Sequence, residues 1–181
     1  MKANNLVFLV GMMGSGKTTV GKALAKRLGL DFADADEQVV SRSGVPIPTI
    51  FEIEGEAGFR RREHLVLQDL ARRERTVVAT GGGAVLDPDN RQLMHNAGTV
   101  VYLHVGVEHL HRRTARDTSR PLLANAPDRR ATLESLLVAR DSLYREAAHL
   151  VIEGGGGSAT ELARRLADML APPGKAAGRR A

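Results

Sequence analysis

Short runs of β-branched and other apolar residues alternate along this chain with longer amphipathic stretches. The runs are LVFLV at 6–10, TVVAT at 76–80, TVVYLHV at 99–105 and HLVIE at 149–153, with a weaker DFAD at 31–34. Strands buried on both faces read as continuous apolar runs, so the alternation predicts a parallel sheet with helices on either side. Helices are expected from about Lys17 to Leu28, Glu37 to Ser43, Glu56 to Arg73, Pro88 to Asn96, Val107 to Thr114, Arg129 to Ala148 and Ser158 to Leu170. Asp87 before Pro88 supplies an N-cap and a first-turn proline, and Gly29 and Gly98 stand where helices should stop. Two intervals, roughly 35–62 and 116–127, carry no clear strand. Insertions of this kind lie over a site at the carboxyl ends of the strands.

The chain has 181 residues and is 43% hydrophobic, which suits one domain over 1–171 with its own core, and a disordered tail is expected over 172–181. It contains no cysteine, so disulfides and thiolate metal sites are excluded and a reducing, cytoplasmic setting is expected. The opening MKANNLVFLVGMMGSG mimics a secretory signal, but its apolar run flows straight into a glycine motif and reads as a first strand. No apolar run approaches the 18 or so residues a membrane span needs. Formal net charge is +5, yet Lys175, Arg179 and Arg180 lie in the tail, leaving the rest of the chain at +2. That body charge, with no tryptophan and few aromatic residues, argues against nucleic acid as a partner. The doublets Arg72-Arg73, Arg112-Arg113 and Arg164-Arg165 read as solvated helix faces.

Chemistry enters with Gly11-Met12-Met13-Gly14-Ser15-Gly16-Lys17-Thr18, which satisfies G-x-x-x-x-G-K-[ST] between a predicted strand and a predicted helix. Glycines let successive N–H groups converge on phosphate oxygens, and the helix N-terminus adds positive potential. Lys17 is placed to reach the β- and γ-phosphates, with the Thr18 hydroxyl on Mg²⁺. Gly14, Ser15, Gly16, Lys17, Thr18 and Thr19 are therefore the nucleotide-binding set.

A P-loop names a nucleotide and not a reaction. Its usual acidic partner at the end of a second strand is missing from TVVAT and TVVYLHV; the acids appear instead as Asp34-Ala35-Asp36. Spacing of two in an extended segment would point both carboxylates to one side, one to hold magnesium water and one to take a proton from an acceptor hydroxyl. Helix capping by Asp36 is the competing reading. Gly81, Gly82 and Gly83 follow a strand expected beside the P-loop strand, so a bare backbone faces the same crevice. That favours a binding surface over a plain turn. His104, His109 and His111 straddle a strand and a helix without a fourth ligand and read as structural or surface residues.

Taken together and in order, GMMGSGKTTVG, DAD, IFEIEGEAGFRRRE, TGGGAV, SRPLL and the helical R-D-S-L-Y-R resemble the shikimate kinase family over about residues 5–170. These are P-loop enzymes that phosphorylate the 3-hydroxyl of shikimate with ATP, on the way to chorismate and the aromatic amino acids. The resemblance implies a three-layer α/β/α fold of the nucleoside-monophosphate-kinase type. Its sheet would have five parallel strands in order 2-3-1-4-5, with a substrate-binding insertion at 35–62 and a lid at 116–127. By the same resemblance Asp36 binds the shikimate hydroxyls and acts as base or orienting group, and Asp34 joins Thr18 near Mg²⁺. Arg60 and Arg140 hold the carboxylate, and Gly82, between Gly81 and Gly83, presents its N–H to substrate. Arg120 of SRPLL touches the phosphates, completing a catalytic set with Lys17 and Asp36. On residue type alone, Arg61 and Arg62 compete with Arg60 for a role, and Arg140 has Glu134 within reach as a surface partner. Gly154 to Gly157 depart from the family pattern, in which a side chain is expected to approach adenine. Gluconate or a nucleoside monophosphate is the alternative acceptor. A regulatory GTP switch is opposed by the lack of N-K-x-D and D-x-x-G. A monomer is expected.

Overall fold

A computed structural model describes residues 5–115, 121–124 and 126–171. Its strands are β1 (Val7–Val10), β2 (Asp31–Asp34), β3 (Thr76–Ala79), β4 (Thr99–His104) and β5 (Leu150–Glu153), all parallel, in the order β2-β3-β1-β4-β5. The expected order and strand positions hold, including the weak second strand.

The three central strands are buried along nearly their whole length and apolar at most positions because both faces are covered. Leu6, Phe8 and Val10, with Val78, Val100 and Tyr102, join one core cluster, while Val7, Leu9, Val77, Val101 and Leu103 join the other. The second cluster is closed by α1 (Lys17–Leu28) and α8 (Ala159–Leu170), through Val20, Leu24, Ala163, Leu166 and Leu170. The first is closed chiefly by α3 (Ile47–Leu70), α4 (Pro88–Ala97), α5 (Val107–Thr114) and α7 (Arg129–Ala147). Two short helices complete the set: α2 (Ala35–Ser43) and α6 (Pro121–Ala124).

Besides the short turns at Ala84–Leu86 and α6, the first part of α3 was not expected from the pattern. Helix α3 begins at Ile47, behind Pro46, and breaks at Gly55, whose φ of 69° and ψ of −178° no helix contains. Pro46, Pro48 and Gly55 punctuate the sequence there and hide a helical turn that Ile50 nevertheless anchors in the core. Gly98 does end α4, but with extended φ; a Cβ there would lie 2.6 Å from Leu6 O, so close approach to β1 selects the glycine. Residues 116–120 and 125, within the interval expected to be a lid, lie outside the described residues, and Arg120 with them.

Candidate active site

The P-loop joins β1 to α1, and α1 starts without help from any side chain. Gly16 is its N-cap at φ 96°, and its first turn holds no acid. By contrast Asp34, Asp87, Asp128 and Ser158 each cap their own helices through a side-chain oxygen. The positive end of α1 is therefore left open to an anion. Lys17 Nζ folds back on the loop, donating to Gly11 O at 2.8 Å and Met12 O at 3.0 Å. Buried Ser15 Oγ has no hydrogen-bond partner among the described residues. Beyond the loop opens a cavity of about 650 Å³, bounded by Ser15, Gly16, Thr19, Arg113 and the main chain of Gly154 to Gly157.

Arg113 corrects the reading of its doublet as merely solvated: its guanidinium donates to Gly14 O at 3.3 Å and Ser15 O at 3.2 Å, over the P-loop. The histidines form no metal cluster among the described residues. His104 Nδ1 sits 2.7 Å from Glu153 Oε2, and the His109 ring lies against Gly155.

Thr18 and Asp34 come together, with Thr18 Oγ1 donating to Asp34 Oδ2 at 2.7 Å. Asp34 is also the cap of α2, accepting from the N–H of Asp36 at 3.0 Å and of Glu37 at 3.4 Å. The extended-segment argument for the pair therefore fails, since Asp34 ends β2 and Asp36 already lies in the first turn of α2. Capping, weighed as the dull role of Asp36, belongs to Asp34. The turn sends the two carboxylates to different work, Asp34 towards the P-loop and Asp36 into a second cavity.

That second cavity, about 340 Å³, is lined by Asp36, Arg60, Arg140 and all three glycines of the 81–83 run. Phe51 and Phe59, their centroids 5.1 Å apart, form an apolar wall, and Leu122 of α6 contributes to the lining. Of three consecutive arginines only Arg60 reaches it; Arg61 is exposed and Arg62 pairs with Glu54 at 2.6 Å. Arg140 is buried, with Nη1 3.4 Å from Gly82 O, while Glu134 pairs with Arg130 instead.

Glu63, which the pattern did not single out, completes this group. It is fully buried on α3, its Oε2 2.7 Å from Arg60 Nη1, and its Oε1 has no hydrogen-bond partner among the described residues. Burial pushes the Glu63 carboxyl up to about 7, against the pull of Arg60 and Arg140 and with the push of Asp36. Burial works to lower the Arg60 pKa, but the Glu63 and Glu56 carboxylates outweigh it and the net shift is upward. In sequence Glu63 is one more acid in an amphipathic helix; its helical spacing of three or four residues from the apolar Phe59, Val66 and Leu67, at the end of IFEIEGEAGFRRRE, was the available signal.

The three glycines are explained by what touches them. A Cβ on Gly81 would collide with the Glu63 carboxylate and lie 2.9 Å from Asp36 Oδ1; one on Gly83 would run into the Arg60 guanidinium. Their carbonyls are all engaged. Gly81 O accepts from Ala84 N at 3.2 Å, Gly83 O from Leu86 N at 3.0 Å, and Gly82 O from Tyr144 Oη at 2.5 Å. The N–H groups of Gly82 and Gly83 have no acceptor among the described residues. The turn thus shows an edge of bare donors beside two guanidinium groups, a setting made for an oxygen-rich anion.

Comparison with known proteins finds relatives over most of the chain. A family model described as shikimate kinase matches residues 13–171. The shikimate kinase of Bordetella pertussis is 54% identical over 160 residues, covering 88% of this chain and 75% of that one. That of Halorhodospira halophila is 54% identical over 164 residues, covering 91% and 92%. Among solved structures, a shikimate kinase from Acinetobacter baumannii in complex with shikimate superposes with a TM-score of 0.90 at 46% identity, over 92% of each chain.

Proposed function

The chain belongs to the shikimate kinase family, and from that premise we infer that it transfers the γ-phosphoryl group of ATP to the 3-hydroxyl of shikimate. The observation that carries the assignment is the second cavity. Two guanidinium groups and the Asp36 carboxylate line a space of about 340 Å³ against a bare glycine turn, next to a P-loop. A small acceptor with one carboxylate and several hydroxyls matches that set.

Phosphoryl transfer asks little covalent chemistry of a protein and much positioning and electrostatic stabilisation. The N–H groups of the P-loop and of the uncapped α1 terminus receive the phosphates. Lys17 leaves the Gly11 and Met12 carbonyls to meet the β- and γ-oxygens. Thr18 and Asp34, a hydroxyl and a carboxylate 2.7 Å apart, are hard oxygen donors of the type magnesium takes and would hold the ion here. An ion held there would supply charge neutralisation at the phosphates. Asp36 orients the acceptor hydroxyl and accepts its proton. Arg60 and Arg140 hold the carboxylate, because a planar fork matches its two oxygens. The N–H groups of Gly82 and Gly83 add donors, and Phe51 and Phe59 cover the apolar face of the ring. Arg120 is assigned to the phosphates on the strength of the SRPLL motif alone. A cytoplasmic, magnesium-dependent monomer is part of the same proposal.

An ADP-release assay against shikimate, gluconate and nucleoside monophosphates tests this reading. Release should depend on shikimate and stop when magnesium is chelated; no shikimate-dependent release with Mg²⁺ present would overturn it.

A further inference from the structure

Tyr144 stands one helical turn after Arg140 on α7, so both side chains leave the helix on the same side. It is fully buried, and its hydroxyl donates to Gly82 O at 2.5 Å, with Met12 Sδ of the P-loop 3.6 Å away. Its ring stacks on Tyr102 of β4 at 4.9 Å and 25°, and Tyr102 Oη in turn donates to Asp141 Oδ1 at 2.9 Å. The hydroxyl is thus held by packing on one side and aimed at one carbonyl on the other. Burial pushes its pKa up to about 12, which keeps it a donor at neutral pH.

Glycine loses more conformational freedom than any other residue when it is held in one conformation, so a run of three needs external anchors to hold one peptide orientation. A trans peptide is planar, and its C=O and N–H point in opposite directions. Fixing Gly82 O against Tyr144 therefore turns the N–H of Gly83 away from α7, on the side where Gly83 lines the acceptor cavity. Arg140 also approaches Gly82 O, but at 3.4 Å, and an arginine that takes up a carboxylate gives up so long a contact readily.

We propose that Tyr144 is a positioning residue: its hydroxyl fixes the Gly82 carbonyl so that the triglycine edge keeps its donors aimed into the acceptor cavity while Arg140 engages the ligand. This rests on the reading of that cavity as the shikimate site. Tyr144→Phe keeps the ring, its volume and the stack on Tyr102, and removes only the donor.

The variant should raise KM for shikimate about five- to tenfold, leave KM for ATP unchanged, and hold kcat within about threefold. Tyr102→Phe serves as control; it loses the hydrogen bond to Asp141 in the same stack and should lower Tm without moving KM for shikimate. In the ligand-free protein, backbone amide order parameters at Gly82 and Gly83 should match their neighbours in wild type and fall distinctly in Tyr144→Phe. An unchanged KM for shikimate, equal rises for both substrates, or unaltered order parameters would each overturn the role given to Tyr144. Were wild type itself inert towards shikimate, the substrate assignment would fall, and the order parameters would still judge the anchor.

Discussion

The two cavities beside the P-loop are built from different materials. The nucleotide end is mostly main chain: a loop of glycines, an uncapped helix terminus, and a second glycine run at 154–157, with Arg113 laid over the P-loop carbonyls. The acceptor end is mostly side chain, with Asp36 from α2, Arg60 and Glu63 from α3 and Arg140 from α7 drawn together around three glycines. Phosphate is the same in every nucleotide, so a local stretch of backbone suffices to recognise it. A particular small acid needs charges at fixed separations, and only elements distant in the chain supply them from several directions.

The glycine runs make the same contrast. Side chains pack directly on Gly81 and Gly83, whereas nothing lies within 4 Å of where a Cβ would stand on Gly156 or Gly157. The first run is bare because charged groups occupy the space at Gly81 and Gly83; the second is divided, since a Cβ on Gly154 or Gly155 would press on Val105 or His109 and Gly155 has a φ of 105°, while Gly156 and Gly157 face open space.

The sharpest way to separate the two ends is Asp36→Asn. It should lower kcat by roughly 10²- to 10⁴-fold while KM for ATP stays within about twofold. A small loss would assign Asp36 to orientation, and wild-type kcat and KM would remove it from the site. Arg140→Ala comes next, with KM for shikimate rising roughly 30-fold to several thousandfold and ATP spared, since truncating one side of a buried charged contact costs about 2–5 kcal/mol. Arg140→Lys should also be costly. Measured as kcat/KM, the loss should shrink for an analogue whose carboxylate is a neutral amide; equal losses for acid and amide would mean that Arg140 does not read the carboxylate.

A smaller effect is expected from Glu63. Its pKa rises from an ordinary 4.5 to about 7 on folding, so the folded chain holds that proton more tightly than the unfolded chain. The stability it contributes is complete below about pH 4.5, declines as pH climbs, and is lost above about pH 7, a change of roughly 3 kcal/mol at most. Glu63→Gln should flatten this decline in a Tm series from pH 5 to 8, whatever its effect on Tm at any one pH; a variant with the wild-type slope would refute it. The smallest change belongs to the nucleotide side. Gly156→Ala meets open space and should alter stability by no more than about 0.5 kcal/mol and KM for ATP by less than threefold. A large loss there would show that the second run is also packed in the working enzyme.

Legibility in the sequence follows the same divide. The parallel sheet, most helices and the P-loop could be read directly, because each depends on residues adjacent in the chain or on one periodic pattern, whereas the strand order came only with the family the motifs resemble. Asp36, Arg60 and Arg140 were reached through the order of motifs and the family they resemble. Their number and spacing alone did not identify them. Glu63 and Tyr144 stand inside IFEIEGEAGFRRRE and R-D-S-L-Y-R but receive no role from the sequence, because each reads as an ordinary member of a helix, and the first half of α3 was hidden by Pro46, Pro48 and Gly55.

What the sequence determined by itself was therefore the layered fold and the phosphate cradle, since hydrophobic period and glycine placement act over short separations. Tertiary structure decided which of three arginines turns inward, that Asp34 caps a helix while Asp36 faces the acceptor cavity, and that a buried glutamate and a tyrosine grip the glycine turn. Those choices depend on burial and on distances between elements up to about a hundred residues apart, and a linear pattern carries neither quantity.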